Sequence, residues 1–396
     1  MTPRLLFVVN TDWFFVSHRL PIAEAAIRAG YEVHVACTLT GAHKKIEAVG
    51  AVVHSLQISR GGRRLLATWH EFKAMADLFK QLRPDIVHLV TIKPVLLGGI
   101  AARWAKVPAV VAAISGLGFI FLSTGWKAKL RRVIVGAMYS LALSHPRIRV
   151  IFQNPDDRDA VCATVDLPKE SIEMIRGSGV DLVRFRQSPL PTDIPKVMMA
   201  SRLLKDKGVR EFVEAASLLK WRGLHADFCL VGDIDPANPS SLTRVEVDAL
   251  AREGAVEFWG HQGDMAAVLP EATIVVLPSY REGLPKVLLE AAASGRPVVT
   301  CDVPGCRDAI APGQTGLLVP KQDCVRLADA IQTLLENTQL MESMRIAGRK
   351  LAEEVFSSEA VAERHLAIYD QLMTRRLGGC ACACDAHERY NSRLPL

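Results

Sequence analysis

Short apolar runs rich in β-branched residues recur through the first half of the chain, at residues 4–9 (RLLFVV), 31–36 (YEVHVA), 51–56 (AVVHSL), 85–90 (DIVHLV), 109–114 (AVVAAI) and 148–153 (IRVIFQ). Runs this short and this continuous predict strands buried on both faces. Between several of them lie segments of helical period, such as residues 20–29 and 69–82. Such βα alternation builds a parallel, doubly wound sheet. At residues 188–195 (SPLPTDIP) the proline density interrupts the pattern, as in an interdomain linker. The alternation then restarts, with strands predicted at 196–200, 226–231, 255–259, 272–277, 297–301 and 316–319. The pattern therefore divides the α/β chain into a first domain at 1–187, the linker at 188–195 and a second domain at 196–365. A closing helix at 366–378 is expected to return to the first domain, followed by a flexible tail at 379–396. Two such domains in series bind ligands in the cleft where both sheets present their carboxyl-terminal strand ends.

At 396 residues and 49% apolar content, the chain has enough material for two sizeable cores. No run of 18 apolar residues lacks a charge, and residues 4–9 are too short and wrongly flanked for a signal peptide. A cytoplasmic protein without a membrane span is expected. Nine cysteines, scattered except for the CACAC of the tail, argue against a disulfide framework. The thiol spacing in CACAC is also tighter than zinc sites use.

Charge sharpens the picture. The net charge is +6, yet residues 1–150 hold 20 Lys and Arg against 7 Asp and Glu, so the remainder of the chain is acidic. No acidic residue falls between Asp85 and Asp156. This half should meet an anionic partner, whether nucleic acid, a phospholipid surface or a lipid diphosphate. Nucleic acid is disfavoured because no binding module of that kind is recognisable. Residues 119–143 interleave aromatic and aliphatic side chains with Lys127, Lys129, Arg131 and Arg132, and include Trp126. Such a stretch suits a membrane interface, each basic residue being worth roughly 1 kcal/mol near an anionic surface. A core helix with a solvated basic end explains the pattern equally well.

The densest chemistry lies at residues 278–308 (PSYREGLPKVLLEAAASGRPVVTCDVPGCRD). A buried strand is followed by a turn at Pro278, Ser279 and Gly283, and then by a helical stripe of Leu284, Val287, Leu288, Ala291 and Ala292. A helix start after a strand offers free N–H groups and a positive dipole end to a diphosphate, the N–H groups here being those of Gly283 and Leu284, with Pro285 next to them as a further donor-side candidate. Glu282, in the loop, reaches hydroxyls beyond the phosphates, and Glu290, beside the stripe about two turns down, reaches a ribose. Taken alone, two glutamates flanking a surface helix are commonplace. Arg202 and Lys207 follow the strand at 196–200 and therefore stand at its carboxyl end. Fixed cations there would lower the barrier to expelling a diphosphate, although a solvated loop gives the same cluster. Asp233 and Asp235 have the spacing of a turn, and neither a metal nor a cofactor is predicted.

These residues resemble retaining glycosyltransferases of family 4, whose GT-B fold sets two Rossmann-like domains facing across a cleft. The likeness rests on Glu282 and Glu290 as an E-x7-E motif, on ASRLLKDKG at 200–208, LVGD at 230–233 and VEFWGHQGDM at 256–265. Within the family, SGLGFIFLSTGWKAKLRR at 115–132 is most similar to bacterial undecaprenyl-diphosphate-sugar N-acetylhexosaminyltransferases, such as the N-acetylgalactosaminyltransferase of N-glycan assembly. The resemblance implies metal-independent transfer, with retention, from a UDP-sugar to a polyprenyl-diphosphate-linked sugar on the inner face of the cell membrane. It implies that Arg202 and Lys207 hold the diphosphate, Glu282 the transferred sugar and Glu290 the ribose, with Gly232, Gly260 and His261 also on the donor side. It leaves Asp12 and His18, in the loop expected at residues 10–17, and Ser115, Gly116 and Gly118 as acceptor-side candidates. A nucleotide-sugar 2-epimerase, or a catalytically silent subunit, is compatible with the same architecture.

Overall fold

The computed structural model describes residues 2–58, 65–117, 126–236 and 238–374, without the side chains of residues 65 and 126–133. Gly118 and the tail at 379–396 lie outside the described residues, as do the side chains of Trp126, Lys127, Lys129, Arg131 and Arg132.

The first sheet contains seven strands: β1 (Arg4–Thr11), β2 (Glu32–Thr38), β3 (Val52–Ser55), β4 (Ile86–Val90), β5 (Ala109–Ile114), β6 (Ile148–Phe152) and β7 (Ile172–Met174). Their spatial order is β3-β2-β1-β4-β5-β6-β7, and every pair is parallel. Alternation along β1 feeds two separate cores. Leu5, Phe7 and Val9 pack on one face with the helix Leu20–Arg28, and Leu6 and Val8 on the other with the helices Leu65–Leu82 and Ile92–Trp104. Each such side chain, fully buried, is worth about 1.5–3 kcal/mol.

The second sheet has β8 (Lys196–Ala200), β9 (Asp227–Val231), β10 (Glu257–Gly260), β11 (Ile274–Leu277), β12 (Val298–Cys301) and β13 (Gly316–Val319), all parallel in the order β10-β9-β8-β11-β12-β13. In both sheets the first strand of the domain lies inside the sheet, which puts the order reversal, and hence the ligand crevice, at its carboxyl end. Buried Arg296 holds the proline-rich segment to this domain, donating to the carbonyls of Ser188 (3.0 Å), Pro189 (2.9 Å) and Ala272 (3.1 Å).

The last described helix, Ser358–Thr374, follows the second domain but packs on the first: Val361, Ile368, Tyr369 and Leu372 join the core under β1, and Tyr369 Oη meets His88 Nδ1 at 2.7 Å. Among the described residues, no helix is long and apolar enough to cross a membrane.

Candidate active site

The carboxyl ends of β8, β9 and β11 converge because two glycines let their loops touch. A Cβ on Gly232 (φ +140°) would sit 1.8 Å from Ser201 O, and one on Gly208 (φ +76°) would sit 2.2 Å from Pro278 O. The first contact brings Arg202 to Asp235, with Nη1 to Oδ2 at 2.7 Å. Asp235 is thus half of an ion pair. The second brings Lys207, at the end of the 3₁₀ turn Lys205–Lys207, onto the loop after β11, where its ammonium pairs with Glu282 Oε1. Ser279 Oγ donates to the same oxygen at 2.7 Å, and the Glu282 N–H donates to Pro304 O at 3.0 Å. Both Lys207 and Glu282 are largely screened from water, with side chains 16% and 13% exposed.

The helix of this motif begins later than its apolar stripe suggests. It spans Lys286–Ala293, with Pro285 as an extended N-cap, and Leu284 is a buried loop residue. Proline's fixed φ and the restriction it places on the preceding residue delay the first turn. The N–H groups of Gly283 and Leu284 therefore belong to the loop. Glu290 also sits deeper than expected, buried within the helix packing instead of beside it, with Oε1 3.3 Å from Lys286 Nζ. Burial pushes its carboxyl upward, and Lys286 opposes that shift. Gly260 (φ +67°) ends β10, its carbonyl accepting from Gly232 N at 2.8 Å. His261 follows on the surface, and Gln262 Nε2 donates to Trp259 O at 2.9 Å.

On the first domain, the loop expected at residues 10–17 is instead the end of β1 and a helix, Asp12–His18. Phe15 anchors it, fully buried and edge-on to Phe7 with centroids 5.3 Å apart. Asp12 faces inward, its carboxylate accepting from the N–H groups of Trp13 (2.8 Å), Thr40 (2.8 Å), Ala42 (2.9 Å) and His43 (3.1 Å), and from the Thr40 hydroxyl. Those bonds tie the loop after β2 to the start of this helix. Burial alone would raise the Asp12 carboxyl; the bonds from Thr40, Trp13 and Ala42 bring it below its usual value.

His18 stacks on Phe14 with centroids 4.1 Å apart, and its Nδ1 lies 3.2 Å from Phe14 O. Burial, helped by the charges of Lys286, Arg19 and Arg202, lowers its pKa to about 3 and keeps the ring neutral. Two of those cations belong to the second domain, so His18 faces the cleft. Lys286 Nζ crosses the cleft to donate to Ser17 O at 2.9 Å.

The two domains approach closely at Gly283. A Cβ there would lie 2.4 Å from Ser115 O, and one on Gly116 would lie 3.1 Å from Gly283 N. Asn154 Nδ2 donates to Gly283 O at 2.7 Å, Arg281 pairs with buried Asp157, and Arg307 Nη1 reaches Asp156 Oδ2 at 3.1 Å. None of Asn154, Asp157, Arg281 or Lys286 stands out from the pattern of apolar positions. The local signal was an Asn followed by Pro and Asp, an N-cap signature for the helix Pro155–Cys162. A cavity of about 700 Å³ opens on the β12–β13 side, lined by Tyr280, Arg281, Asp302, Arg307 and Lys321 among others. Its walls include neither Lys207 nor Glu282.

Two doubly wound domains, with a cation pair and a screened carboxylate at the carboxyl edge of the second sheet, define a GT-B transferase. The chain is a glycosyltransferase, each of its two domains matching a glycosyltransferase family. The family described as Glycosyl transferase 4-like matches residues 4–154, and that described as Glycosyl transferases group 1 matches residues 194–337. The chain is 29% identical over 385 residues, 93% of its own length and 99% of the relative's, to an N,N'-diacetylbacillosaminyl-diphospho-undecaprenol alpha-1,3-N-acetylgalactosaminyltransferase of Campylobacter jejuni. It is 26% identical to an Escherichia coli UDP-Gal:alpha-D-GlcNAc-diphosphoundecaprenol alpha-1,3-galactosyltransferase, over 68% of this chain and 72% of that one. Among solved structures, sucrose-phosphate synthase of Thermosynechococcus elongatus superimposes with a TM-score of 0.76 at 21% identity, over 94% of this chain and all of that one.

Proposed function

We propose that this glycosyltransferase moves an N-acetylhexosamine, N-acetylgalactosamine being the best-supported choice, from a UDP-sugar to a sugar carried on undecaprenyl diphosphate, in surface polysaccharide or glycan assembly. The observation that carries the reading is the Lys207–Glu282 contact, a cation beside a screened carboxylate at the crevice of the second sheet, though the two lie 75 residues apart. As the anomeric carbon parts from the diphosphate oxygen, negative charge grows on UDP, and Arg202 and Lys207 stabilise it. Glu282 holds the transferred sugar by its hydroxyls, Glu290 the ribose, and the N–H groups of Gly283 and Leu284 the phosphates. Gly232, Gly260 and His261 border the uridine. The first domain offers His18, Ser115 and Gly116 to the acceptor. Retention of configuration and transfer without a metal are part of the same reading.

The finer choice of lipid acceptor is supported by near full-length similarity to the Campylobacter enzyme. The test is acceptor-dependent UDP release. UDP-N-acetylgalactosamine and UDP-N-acetylglucosamine are each incubated with and without N,N'-diacetylbacillosaminyl- or N-acetylglucosaminyl-diphosphoundecaprenol. Release that needs the lipid supports transfer; epimerised donor without release marks a 2-epimerase, and no turnover of any pair marks a silent subunit.

Docking on an anionic bilayer completes the reading. Exposed Leu66, Trp69 and Trp104 lie on the helices Leu65–Leu82 and Ile92–Trp104, with Lys80 Nζ 3.5 Å above the Trp104 ring. Ile134 and Leu141 are exposed on the next helix of the same layer, Trp126–Ala142. Aromatic and aliphatic groups among cations enter a head-group boundary. Binding to vesicles containing phosphatidylglycerol should fall steeply between low salt and 0.5 M salt. Binding that ignores both salt and lipid charge would contradict this.

A further inference from the structure

The second domain supplies Glu282, but the first domain holds the loop that carries it. On one side of Glu282, Arg281 pairs with Asp157, whose side chain is completely buried while that of Arg281 is 16% exposed. On the other side, Gly283 O accepts the Asn154 amide at 2.7 Å. The two partners are themselves joined: Asn154 Nδ2 donates to Asp157 Oδ2 at 3.0 Å, and Asn154 Oδ1 accepts from the Asp157 N–H at 2.8 Å. The orientation of the Asn154 amide follows from these partners, since its nitrogen faces two acceptors and its oxygen faces a donor. Behind the loop, Gly305 (φ +81°) packs so closely that a Cβ there would lie 2.5 Å from Glu282 O. The peptide units flanking Glu282 are therefore clamped between the first domain and the loop after β12.

We infer that Asn154 and Asp157 are positioning residues for transfer: they set the Glu282 carboxylate at the sugar only when the acceptor-binding domain has closed on the donor loop. The inference rests on the assignment of Glu282 to the transferred sugar. Its chemical sense is timing. A donor bound to the second domain alone has its diphosphate contacts but a Glu282 loop held only from its own domain, by Ser279, Lys207 and Pro304, and the other half of the clamp arrives with the domain that brings the acceptor hydroxyl. Burial makes the device specific, because each amide or carboxylate atom left without its partner carries a desolvation cost that holds the network in one arrangement.

Asn154→Ser separates this role from a plain structural one, since serine retains an N-cap oxygen for the helix Pro155–Cys162 and removes the amide N–H groups that meet Gly283 O and Asp157 Oδ2. With UDP-N-acetylgalactosamine and N,N'-diacetylbacillosaminyl-diphosphoundecaprenol as substrates, kcat should fall by about 10–100-fold, the cost of a misplaced catalytic group, while donor KM and UDP affinity stay within about twofold. In a Glu282→Gln background the same substitution should cost less than about threefold, because the group it positions is already disabled. Arg281→Lys, which retains the charge but not the guanidinium N–H that meets Asp157, should lose an intermediate amount that is masked in the same way. Equal losses in both backgrounds, or a change confined to KM, would overturn the inference. Full activity of Glu282→Gln by itself would instead remove Glu282 from the reaction, and the inference with it.

Discussion

Replacing Lys207 with alanine is expected to lower kcat by about 10²–10³-fold, the usual loss when a preorganised charge is removed from a developing anion. The fold should survive. Lys207 closes a single 3₁₀ turn and contributes nothing to the buried core of the second domain, and its ion-pair partner, Glu282, keeps the hydroxyl of Ser279. The pair is neither exposed nor fully buried, so its removal should cost something between the ~0–1 kcal/mol of surface pairs and the about 3–5 kcal/mol of wholly buried ones. A drop of a few degrees in Tm is the corresponding expectation. Lys207 and Glu282 touch, so a donor diphosphate arriving beside the ammonium competes with the carboxylate for it. If Lys207 served only to steady Glu282, the double variant Lys207→Met with Glu282→Gln would be no slower than Glu282→Gln alone. A further large loss is expected, and single-turnover measurement of UDP release checks it. Wild-type turnover in Lys207→Ala would remove the assignment.

Gly283→Ala should lower transfer by about 10²-fold, through a different route. The added methyl keeps the N–H group proposed to meet the phosphates, and the backbone there needs no left-handed conformation. What it meets is the opposite domain: Ser115 O at 2.4 Å and Gln153 Oε1 at 2.8 Å. Because the obstacle belongs to another rigid body, the strain is relieved by the domains standing apart and not by unfolding. Thermal stability of each domain should therefore be nearly unchanged, donor binding retained and turnover lost, with small-angle scattering showing a larger radius of gyration. Gly208→Ala, by contrast, collides with Pro278 O inside its own domain and strains a left-handed backbone, so there a loss of stability is expected. Normal turnover of Gly283→Ala would mean that closure at this point is irrelevant to transfer.

The strands were legible because each is a short, continuous apolar run, and such runs need no partner to be recognised. The exception is β7, three residues long with Glu173 at its centre. A charged residue inside a strand hides it, and Glu173 is tolerated because Arg149 on β6 lies 3.7 Å away and Arg364 of the terminal helix 3.9 Å away, facts of pairing and not of local pattern. The helix Asp12–His18 was obscured for a similar reason. Its aromatic and β-branched composition is a weak helix former, and its start is stabilised by loop residues 28 to 31 positions away. That Arg202, Lys207 and Glu282 stand at strand ends of the second sheet could be read from sequence because these motif positions follow predicted strands. The clamp on Glu282 could not, since Asn154 and Gly283 approach only when two separately folded domains meet.

The chain passes between its domains twice, once before the proline-rich segment and once before the terminal helix. The two passages are stitched together: Val180 N donates to Phe356 O at 2.8 Å, Ser358 N donates to Val180 O at 3.0 Å, and Val180 bridges Ser357 as parallel strands do. A single tether would let one half swivel in any direction. Two tethers fastened side by side behave as one short pivot, which favours a swing about that seam over free rotation or sliding. The mouth of the cleft then opens farthest from the seam, while residues beside it keep their spacing throughout. Crosslinking across the seam should consequently leave the catalytic cycle running, whereas crosslinking Ser115 to the Glu282 loop should stop it.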